Sequence, residues 1–390
     1  IISRKIIFYV NKKFQWLIIE KDELPKLSKE GLEKFFLHGY DSELGWIRKK
    51  NTSHSENSKK GKSFWTINSS GSRINPEYEN TKSKISAYGD SFAFCRQVND
   101  NETWEHYLSN LQKTNVLNFG VGNYGIDQAV IRIKREYGKN KTKQVILAVV
   151  PDTISRIVSV WKHYYEYGNT FGFKPRFILK NNEIKLVDNP INSEKKFLEL
   201  EKYLRDIQKN DFFYKEKFQK EKLYFPYSIT IFKNPKRNFS IIYWILKINL
   251  IKKRDSNTKE NWNPMKIIMR RNLDWRIKLY KNSEISFLLK KIIEDFVKFS
   301  ELNNFEPIFI TLPQKDDVSF IKNNYHFYQN FLDELKDYNK LKVIDITKNL
   351  INKNNLDEFY SDDNEYGGHF SKEGNKKIAE IIHNTINSKY

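Results

Sequence analysis

The segment Lys84–Phe92, KISAYGDSF, gives the clearest indication of how this chain folds. Its first five residues form a short, mostly apolar run that predicts a buried strand. The strand ends at the turn-forming residues Gly89 and Asp90, and the apolar spacing that follows predicts a helix over Phe94–Leu111. Ser91 is therefore expected at the carboxyl edge of a sheet, which is where α/β folds place ligand-binding residues.

Further strands and helices alternate along the rest of the chain. Four more apolar runs predict strands: Asn115–Phe119, Gln144–Val150, Pro307–Leu312 and Lys342–Ile346. Helical patterns cover Asp127–Tyr137 and the terminal segment Lys372–Ile386. This alternation predicts an α/β fold, a three-layer α/β/α sandwich around a central parallel sheet. The run at Gln144–Val150 is almost wholly apolar, as expected of a strand covered on both faces.

Two regions flank or interrupt this pattern. Residues 1–83 are predicted to form an N-terminal region with a small β element, indicated by Leu44–Ile47 and by the strand Ser63–Ile67 with its turn at Asn68–Gly71. The main domain covers residues 84–390. About 150 residues separate its third and fourth strands, too many for a simple crossover, so we predict a mainly helical insertion at about residues 190–300.

The composition limits the class of protein. Hydrophobic residues make up 39% and charged residues 30%, which is typical of a globular chain, and no apolar run reaches the roughly 18–20 residues that span a bilayer. The single cysteine, Cys95, excludes an internal disulfide and a cysteine zinc cluster. Because the first residue is Ile, an upstream segment could have been removed, so the cytoplasm and the cell envelope both stay open as compartments.

The chain is strongly basic, with a formal net charge of +20. Such a charge could serve nucleic-acid binding, but abundant Lys and Asn on solvated faces explain it equally well, so a nucleic-acid partner is disfavoured. The stretch Ile231–Tyr280 carries 13 Lys/Arg against 3 Asp/Glu. This density predicts a surface for an anionic polymer or an anionic membrane; the alternative is a solvated face.

A second candidate for chemistry lies near the other end of the chain. The segment Gly367–Ser371, GGHFS, precedes the terminal helix. Its glycines let the backbone approach a site closely, and His369 stands where a base for Ser91 is needed. His163, in an aromatic segment after the third strand, is the second candidate for that base.

These blocks resemble the SGNH (GDSL-type) hydrolase superfamily over residues 84–390. The strand followed by Gly-Asp-Ser is similar to the family's first block, and Asn118–Gly125 (NFGVGNYG) is similar to the second. His369, followed by Gly374 and the terminal helix, is similar to the last. The resemblance implies an SGNH- and flavodoxin-like sheet and a nucleophilic serine, with no metal and no organic cofactor. The pattern differs from the Gly-x-Ser-x-Gly elbow of the α/β-hydrolases.

The resemblance also implies an oxyanion hole. In this family the donors are the serine N–H, at the start of the helix, a backbone N–H in the second block and an asparagine side chain in the third. Carried over, the first donor is Ser91, and the second lies at Gly122 or Asn123, because Asn tolerates the left-handed conformation. Pro151 stands where the third donor is expected, so Asn169 is the proposed replacement.

The acid of a Ser-His-acid triad does not stand at the position that the family pattern implies. The family places an aspartate three residues before the histidine, and that position here is Tyr366. Asp362, Asp363 and Glu365 are near enough to be candidates, and we favour Asp363. A Ser-His dyad oriented by a backbone carbonyl is the alternative.

Aromatic residues are dense after the third strand. Trp161, Tyr164 and Tyr165 are predicted to form a surface on which a sugar stacks; the alternative is a core that joins the sheet to the insertion. The resemblance implies a serine esterase or O-acyltransferase that acts on acyl, above all acetyl, esters of carbohydrate such as a bacterial surface polysaccharide. The substitutions at the third block and the triad acid leave a second function open, a degenerate fold that binds glycan, anionic polymer or a protein partner without turnover.

Overall fold

A five-stranded parallel sheet forms the centre of the molecule. The computed structural model describes residues 19–20, 24–25, 27–58, 61–241, 243, 265–353, 355–362 and 368–388. The strands of the sheet are β1 (Ser83–Gly89), β2 (Asn115–Asn118), β3 (Gln144–Val149), β4 (Glu306–Thr311) and β5 (Lys342–Asp345). Their order is β2-β1-β3-β4-β5, and every neighbouring pair is parallel. The order reverses between β1 and β3, so a crevice opens at the carboxyl ends of these two strands.

Both faces of the sheet are covered. Along β3, Val145, Leu147 and Val149 point into one apolar cluster, whereas Ile146 and Ala148 point into the other. All five side chains are buried. This is the physical reason why the run shows no alternation of polar and apolar residues.

Helices form the two outer layers. On one face lie α1 (Trp104–Gln112) and α6 (Lys372–Asn387). On the other lie α2 (Ile126–Glu136), α3 (Ser283–Asn303) and α5 (Gln329–Leu335), and α4 (Lys315–Asn323) follows β4. The predicted three-layer α/β/α sandwich is confirmed. None of the helices within the described ranges is both long and apolar enough to cross a membrane.

The helix predicted over Phe94–Leu111 begins later than expected. Residues 91–98 form turns, a 3₁₀ turn covers Asp100–Glu102, and α1 starts at Trp104. Cys95 and Gln97 have φ of +58° and +70°, values that a right-handed helix does not accommodate. The expectation that Ser91 stands at a helix start is therefore wrong.

The N-terminal region packs beside the carboxyl edge of the sheet. It contains the helix Lys29–His38, the short antiparallel pair Tyr40–Asp41 with Gly45–Trp46, and the hairpin Thr52–Ser58 with Gly61–Ile67. The first strand of the hairpin lies in a polar stretch without apolar alternation, because its side chains are mostly exposed. An isolated bridge between Arg73 and Asn118 joins this region to the end of β2.

The long connection between β3 and β4 holds the remaining elements. They are the hairpin Arg176–Lys180 with Glu183–Val187, the helices Thr153–Arg156, Lys162–Tyr165, Glu194–Leu198, Leu204–Asn210, Gln219–Glu221, Tyr227–Thr230 and Met265–Tyr280, the 3₁₀ turns Leu200–Tyr203 and Ile231–Lys233, and the π turn Tyr214–Phe218. Lys222–Leu223 pairs with Ile19–Glu20. The helix α3, predicted as part of the insertion, instead packs its apolar side on the sheet. Three short elements complete the chain: Tyr137–Lys139, Thr347–Leu350 and Leu356–Glu358.

Candidate active site

The turn that carries Ser91 is built on a close contact between β1 and β3. A Cβ added to Gly89 would lie 1.7 Å from the carbonyl oxygen of Ala148, so only glycine fits there. Asp90 is fully buried beneath the turn and accepts hydrogen bonds from the backbone N–H of Phe92 (2.8 Å) and of Val150 (2.9 Å). The turn is thus fixed to the end of β3.

Arg156 holds the three loops of this edge together. Its guanidinium donates to the Asp90 carboxylate (3.2 Å), to the Tyr124 carbonyl (2.9 Å) and to the Asp152 carboxylate (3.3 Å). Burial raises the pKa of Asp90, and the charge of Arg156 opposes that rise. The sequence analysis missed Arg156, since no local motif marks it.

His369 lies beside the serine. Its Nε2 is 2.8 Å from Ser91 Oγ, and its ring packs on Phe92 with the centroids 4.8 Å apart. The preceding Gly368 has φ of +68°, and a Cβ there would lie 2.5 Å from Ser361 Oγ. The glycine before the histidine is therefore required by both conformation and space.

Gln97 occupies the other side of the imidazole. Its Oε1 lies 3.0 Å from His369 Nδ1, and it accepts hydrogen bonds from the His369 backbone N–H (2.9 Å) and the Ser361 hydroxyl (2.6 Å). A backbone N–H can only donate, so this atom is an acceptor and Nδ1 must carry the proton. Nε2 is then free of a proton and accepts the hydrogen bond from Ser91.

Gln97 was not among the candidates from sequence. Asp363, the favoured acid, lies outside the described residues, as do Glu365 and Tyr366; Asp363 therefore stays a prediction. Asp362 is described, and within those residues it makes no hydrogen bond to His369. Among the described residues, the group at His369 Nδ1 is the neutral amide of Gln97.

Arg73 shapes the loop that presents both Ser91 and Gln97. Its buried guanidinium donates to the carbonyls of Phe94 (2.8 Å), Cys95 (2.8 Å) and Val98 (2.7 Å), and to the Asp100 carboxylate (2.7 Å). These carbonyls would bond within a helix if one formed here. The N-terminal region thus helps to build the site through a residue with no motif around it.

The surroundings keep His369 neutral. Burial, and then the charges of Arg96 and Arg156, lower the pKa of His369 well below 6.5. A neutral imidazole with its free lone pair on Nε2 is the form that can accept a proton from serine.

The second block lies against the serine. A Cβ on Gly122 would be 4.0 Å from Ser91 Cβ, and the Gly122 carbonyl accepts a hydrogen bond from Trp46 Nε1 (2.9 Å). Asn123 has φ of +67°, the left-handed conformation anticipated from its residue type. The backbone N–H groups of Ser91, Gly122 and Asn123 have no acceptor among the described residues.

Gly122, Asn123 and Asn169 contribute to the wall of a cavity of about 520 Å³, which reaches Ser91 through Gly122; Ser91 and His369 are not among the residues of this wall. The Asn169 amide donates to the Glu166 carbonyl (3.0 Å) and makes no hydrogen bond to Ser91 in the part of the chain described here. Pro151 is followed by Asp152, whose carboxylate turns inward and accepts from the Tyr165 hydroxyl (2.7 Å). Among the described residues, no group of three or more His, Cys, Asp or Glu is placed to hold a metal ion.

The predicted sugar-stacking residues belong to the core. Trp161, Tyr164 and Tyr165 are at most 1% exposed, and none of them lines the cavity. Trp161 stacks on Phe173 with the ring centroids 4.8 Å apart and on His163 at 4.7 Å. The prediction of a substrate surface here is wrong, because these rings fill the space between the sheet and the connection to β4. His163 is likewise a core residue rather than a base for Ser91.

Comparisons with known proteins add structural similarities. No protein-family model matches the chain, and no curated protein sequence matches it. A lipolytic protein of the G-D-S-L family from Desulfitobacterium hafniense is 14% identical, over 78% of this chain and 99% of its own, with a TM-score of 0.36. An acetyl xylan esterase is 11% identical, over 77% and 96%, with a TM-score of 0.34. An acetylxylan esterase from Geobacillus stearothermophilus is 10% identical, over 79% and 96%, with a TM-score of 0.34.

The resemblance found in the sequence reappears among these solved structures. None of the three superposes closely on this chain, and what the chain can do depends on its own site: a serine, a neutral histidine and an amide acceptor in one hydrogen-bonded line.

Proposed function

We propose that this chain is a serine esterase or O-acyltransferase that acts on acyl esters. The observation that carries the proposal is the line Ser91–His369–Gln97, with separations of 2.8 Å and 3.0 Å between the bonded atoms. A nucleophile within hydrogen-bond reach of a base, whose other nitrogen is oriented by a third group, is the arrangement that activates a serine hydroxyl.

The reaction follows from this geometry. His369 Nε2 takes the proton from Ser91 as Oγ attacks the ester carbonyl, and the oxyanion is stabilised by the N–H groups of Ser91 and of Gly122 or Asn123. His369 then gives its proton to the leaving alcohol, and an acyl-enzyme remains on Oγ. Water, or a sugar hydroxyl in the transfer reaction, attacks this acyl group with His369 again as base.

Gln97 fixes the tautomer and orientation of the imidazole but brings no charge. The imidazolium formed during the reaction faces an amide dipole rather than a carboxylate, and Arg96 and Arg156 disfavour it further. We therefore expect slow but measurable turnover of activated esters, because a carboxylate partner stabilises the charged ring more than an amide does.

We infer that the ester is carried by a carbohydrate. The cavity that reaches Ser91 through Gly122 has polar side chains in its wall, Asn123, Asn169 and Thr170, beside aromatic ones, Trp46, Trp65 and Phe171. Two of the solved structures to which the chain is similar are named as acetyl xylan esterases. An O-acetylated oligosaccharide is thus the substrate to try first.

Covalent labelling tests the nucleophile. Wild type and Ser91→Ala are incubated with a fluorophosphonate, and the adduct is located by mass spectrometry. We expect an adduct on Ser91 in wild type and in Ser53→Ala, a control at an exposed serine of the hairpin. Labelling of Ser91→Ala at the wild-type rate would show that another residue is the nucleophile.

The rival function is binding without turnover. Pro151 in the third block and an amide in place of the acid favour it. If wild type neither reacts with the fluorophosphonate nor cleaves any acyl ester, including p-nitrophenyl acetate, the non-catalytic function holds.

A second candidate function concerns the basic stretch Ile231–Tyr280, of which residues 242 and 244–264 lie outside the described residues. Two of its cations are internal, since Arg237 pairs with Glu221 (3.1 Å) and Arg276 pairs with Asp316 (2.6 Å), all of them buried. Lysines on its surface include Lys236 and Lys278.

Exposed apolar side chains accompany those lysines. Ile229 and Phe232 are 63% and 64% exposed, and the rings of Phe232 and Phe239 lie 5.8 Å apart. Apolar and basic groups together favour an anionic membrane surface. Co-sedimentation with vesicles containing phosphatidylserine should be lost in Phe232→Ser/Lys236→Glu. Equal sedimentation with phosphatidylcholine vesicles, or no effect of the double substitution, would contradict this function.

A further inference from the structure

The ionisable side chains in the wall of the cavity beside Ser91 are all of the basic kind. Its wall contains six basic or imidazole side chains: His38, Arg48, Lys49, His54, Arg96 and Lys162. No Asp or Glu side chain belongs to the described wall. The sequence analysis did not detect this, because the six residues come from four separate segments.

Most of these positive charges already have a partner. Arg96 donates to the Glu56 carboxylate (2.9 Å), and Lys162 pairs with Glu166 (2.9 Å). Lys49 donates to the Tyr40 carbonyl (2.6 Å). Burial, followed by the charges of Arg48 and His38, lowers the pKa of His54, which is then neutral at pH 7.

Arg48 differs from the other cations of the wall. Its guanidinium is held between two rings, with its central carbon 4.3 Å from the Trp65 centroid and 4.6 Å from the Phe94 centroid. It makes no ion pair or hydrogen bond with any described residue. Burial, and then the charges of Arg96 and Arg73, lower the pKa of Arg48 to about 10, while the Glu56 carboxylate that pairs with Arg96 opposes this change. The group is still charged at neutral pH. The stacking fixes the plane of the guanidinium, while its N–H groups are left for a ligand.

Arg48 lies next to the nucleophile. Its Nη2 is 3.9 Å from the position that a Gly122 Cβ would occupy, and Ser91 Cβ is 4.0 Å from the same point. One sugar unit whose acyl group is at Ser91 could therefore reach Arg48 with an anionic substituent.

We propose that Arg48 binds a carboxylate of the substrate, so that the site selects acyl esters carried by acidic sugars of the uronic acid type. The inference rests on the proposed function, which it deepens. A planar guanidinium pairs with a carboxylate through two parallel N–H···O bonds. One guanidinium without a direct ion pair among the described residues matches one such monoanion, whereas a phosphate dianion would require more positive charge.

The test compares two substrates of equal length, an O-acetylated oligouronide and an O-acetylated xylo-oligosaccharide. We measure kcat/KM for both with wild type, Arg48→Gln and Arg205→Gln; the last removes the same charge from an exposed arginine outside the cavity wall. We expect wild type to prefer the oligouronide. Arg48→Gln should lower the ratio of the two kcat/KM values about 10- to 100-fold, which is the usual effect of one hydrogen bond to a charged group, and Arg205→Gln should leave it unchanged.

Arg48→Lys keeps the charge and most of the packing but cannot make the bidentate contact. Its ratio of the two kcat/KM values should therefore lie between those of wild type and Arg48→Gln. Thermal unfolding of each variant checks folding. Equal use of both substrates by wild type, or a ratio that Arg48→Gln and Arg48→Lys leave unchanged, would overturn the proposal while the esterase function stands.

If the chain is not an esterase, the same experiments give a different set of results. If wild type cleaves neither substrate and takes no fluorophosphonate label, the esterase is refuted. The anion site is then judged by calorimetry with the deacetylated oligouronide, for which Arg48→Gln should weaken binding at least 10-fold relative to Arg205→Gln. Equal affinities would overturn the Arg48 site.

Discussion

Gln97 Oε1 lies 3.0 Å from Nδ1 of His369, while Nε2 of the same ring lies 2.8 Å from Ser91 Oγ. The two contacts define which nitrogen carries the proton. They also place against Nδ1 an amide that can orient the ring but brings no negative charge. The chemistry expected of the site depends on this pair.

Wild-type activity should persist in mildly acidic solution. The active form has a neutral His369, and its pKa is well below 6.5, so the acid limb of the pH–rate profile should lie below that pH. Because the pKa of His369 is lower in the folded than in the unfolded chain, the unfolded chain binds this proton more readily. Protonation of His369 therefore reduces the free energy of unfolding as the pH falls below 6.5. A kcat/KM profile with p-nitrophenyl acetate measures the limb; a midpoint at 6.5 or higher would contradict the environment described for His369.

Gln97→Glu should restore a charged partner for the imidazole. A carboxylate at hydrogen-bond distance stabilises the imidazolium, so the acid limb should move upward by about 1–3 pH units, and kcat above the limb should rise. Gln208→Glu, on the helix Leu204–Asn210, adds the same charge away from the site. It should change neither the position of the acid limb nor kcat. If Gln97→Glu leaves the pH profile where it is, Gln97 does not act on His369 in solution.

Gly368→Ala should damage the site. The new Cβ would lie 2.5 Å from Ser361 Oγ and 2.8 Å from Gln97 Oε1, at a backbone φ of +68°. The strain costs on the order of 1–3 kcal/mol and displaces both groups around His369, so kcat and the unfolding temperature should fall together. Gly138→Ala is the matched control, because a Cβ there meets nothing within 4 Å; wild-type behaviour of Gly368→Ala would contradict the loop geometry.

Asn169→Ala should have little effect on small esters. The Asn169 amide donates to Glu166, so we expect turnover of p-nitrophenyl acetate to change less than about 3-fold, compared with the 10²–10³-fold loss that removing an oxyanion donor causes. Glu166→Ala, which removes only the weaker contact to the carboxylate (3.4 Å) and leaves the backbone carbonyl as acceptor, serves as the comparison. A loss of 10² or more in Asn169→Ala would show that this side chain turns to the oxyanion during the reaction.

Local patterns in the sequence were sufficient for the sheet and for two of the three residues in the hydrogen-bonded line, Ser91 and His369. The apolar runs that became β1, β3 and β4 stand out because these strands are buried on both faces. Gly-Asp-Ser and Gly-Gly-His stand out because a tight approach of the backbone requires glycine at fixed positions, as the Cβ contacts at Gly89 and Gly368 show.

The remaining features depend on contacts between distant parts of the chain. Gln97 and His369 are separated by 272 positions. A hydrogen bond between residues so far apart produces no local sequence pattern from which it could be predicted. Arg73 donates to three carbonyls between Phe94 and Val98, the part of the predicted helix that does not form. Trp161 is buried in the core, stacked on Phe173 and His163, and so offers no surface on which a sugar could stack. The strands of the sheet, the glycine turns and the reactive residue types follow from local burial and backbone conformation, so they can be predicted from the chain alone. The partners of His369, and the position of Arg48 between two rings at the cavity, depend on where the folded chain brings distant side chains together, so they became evident only from the three-dimensional structure.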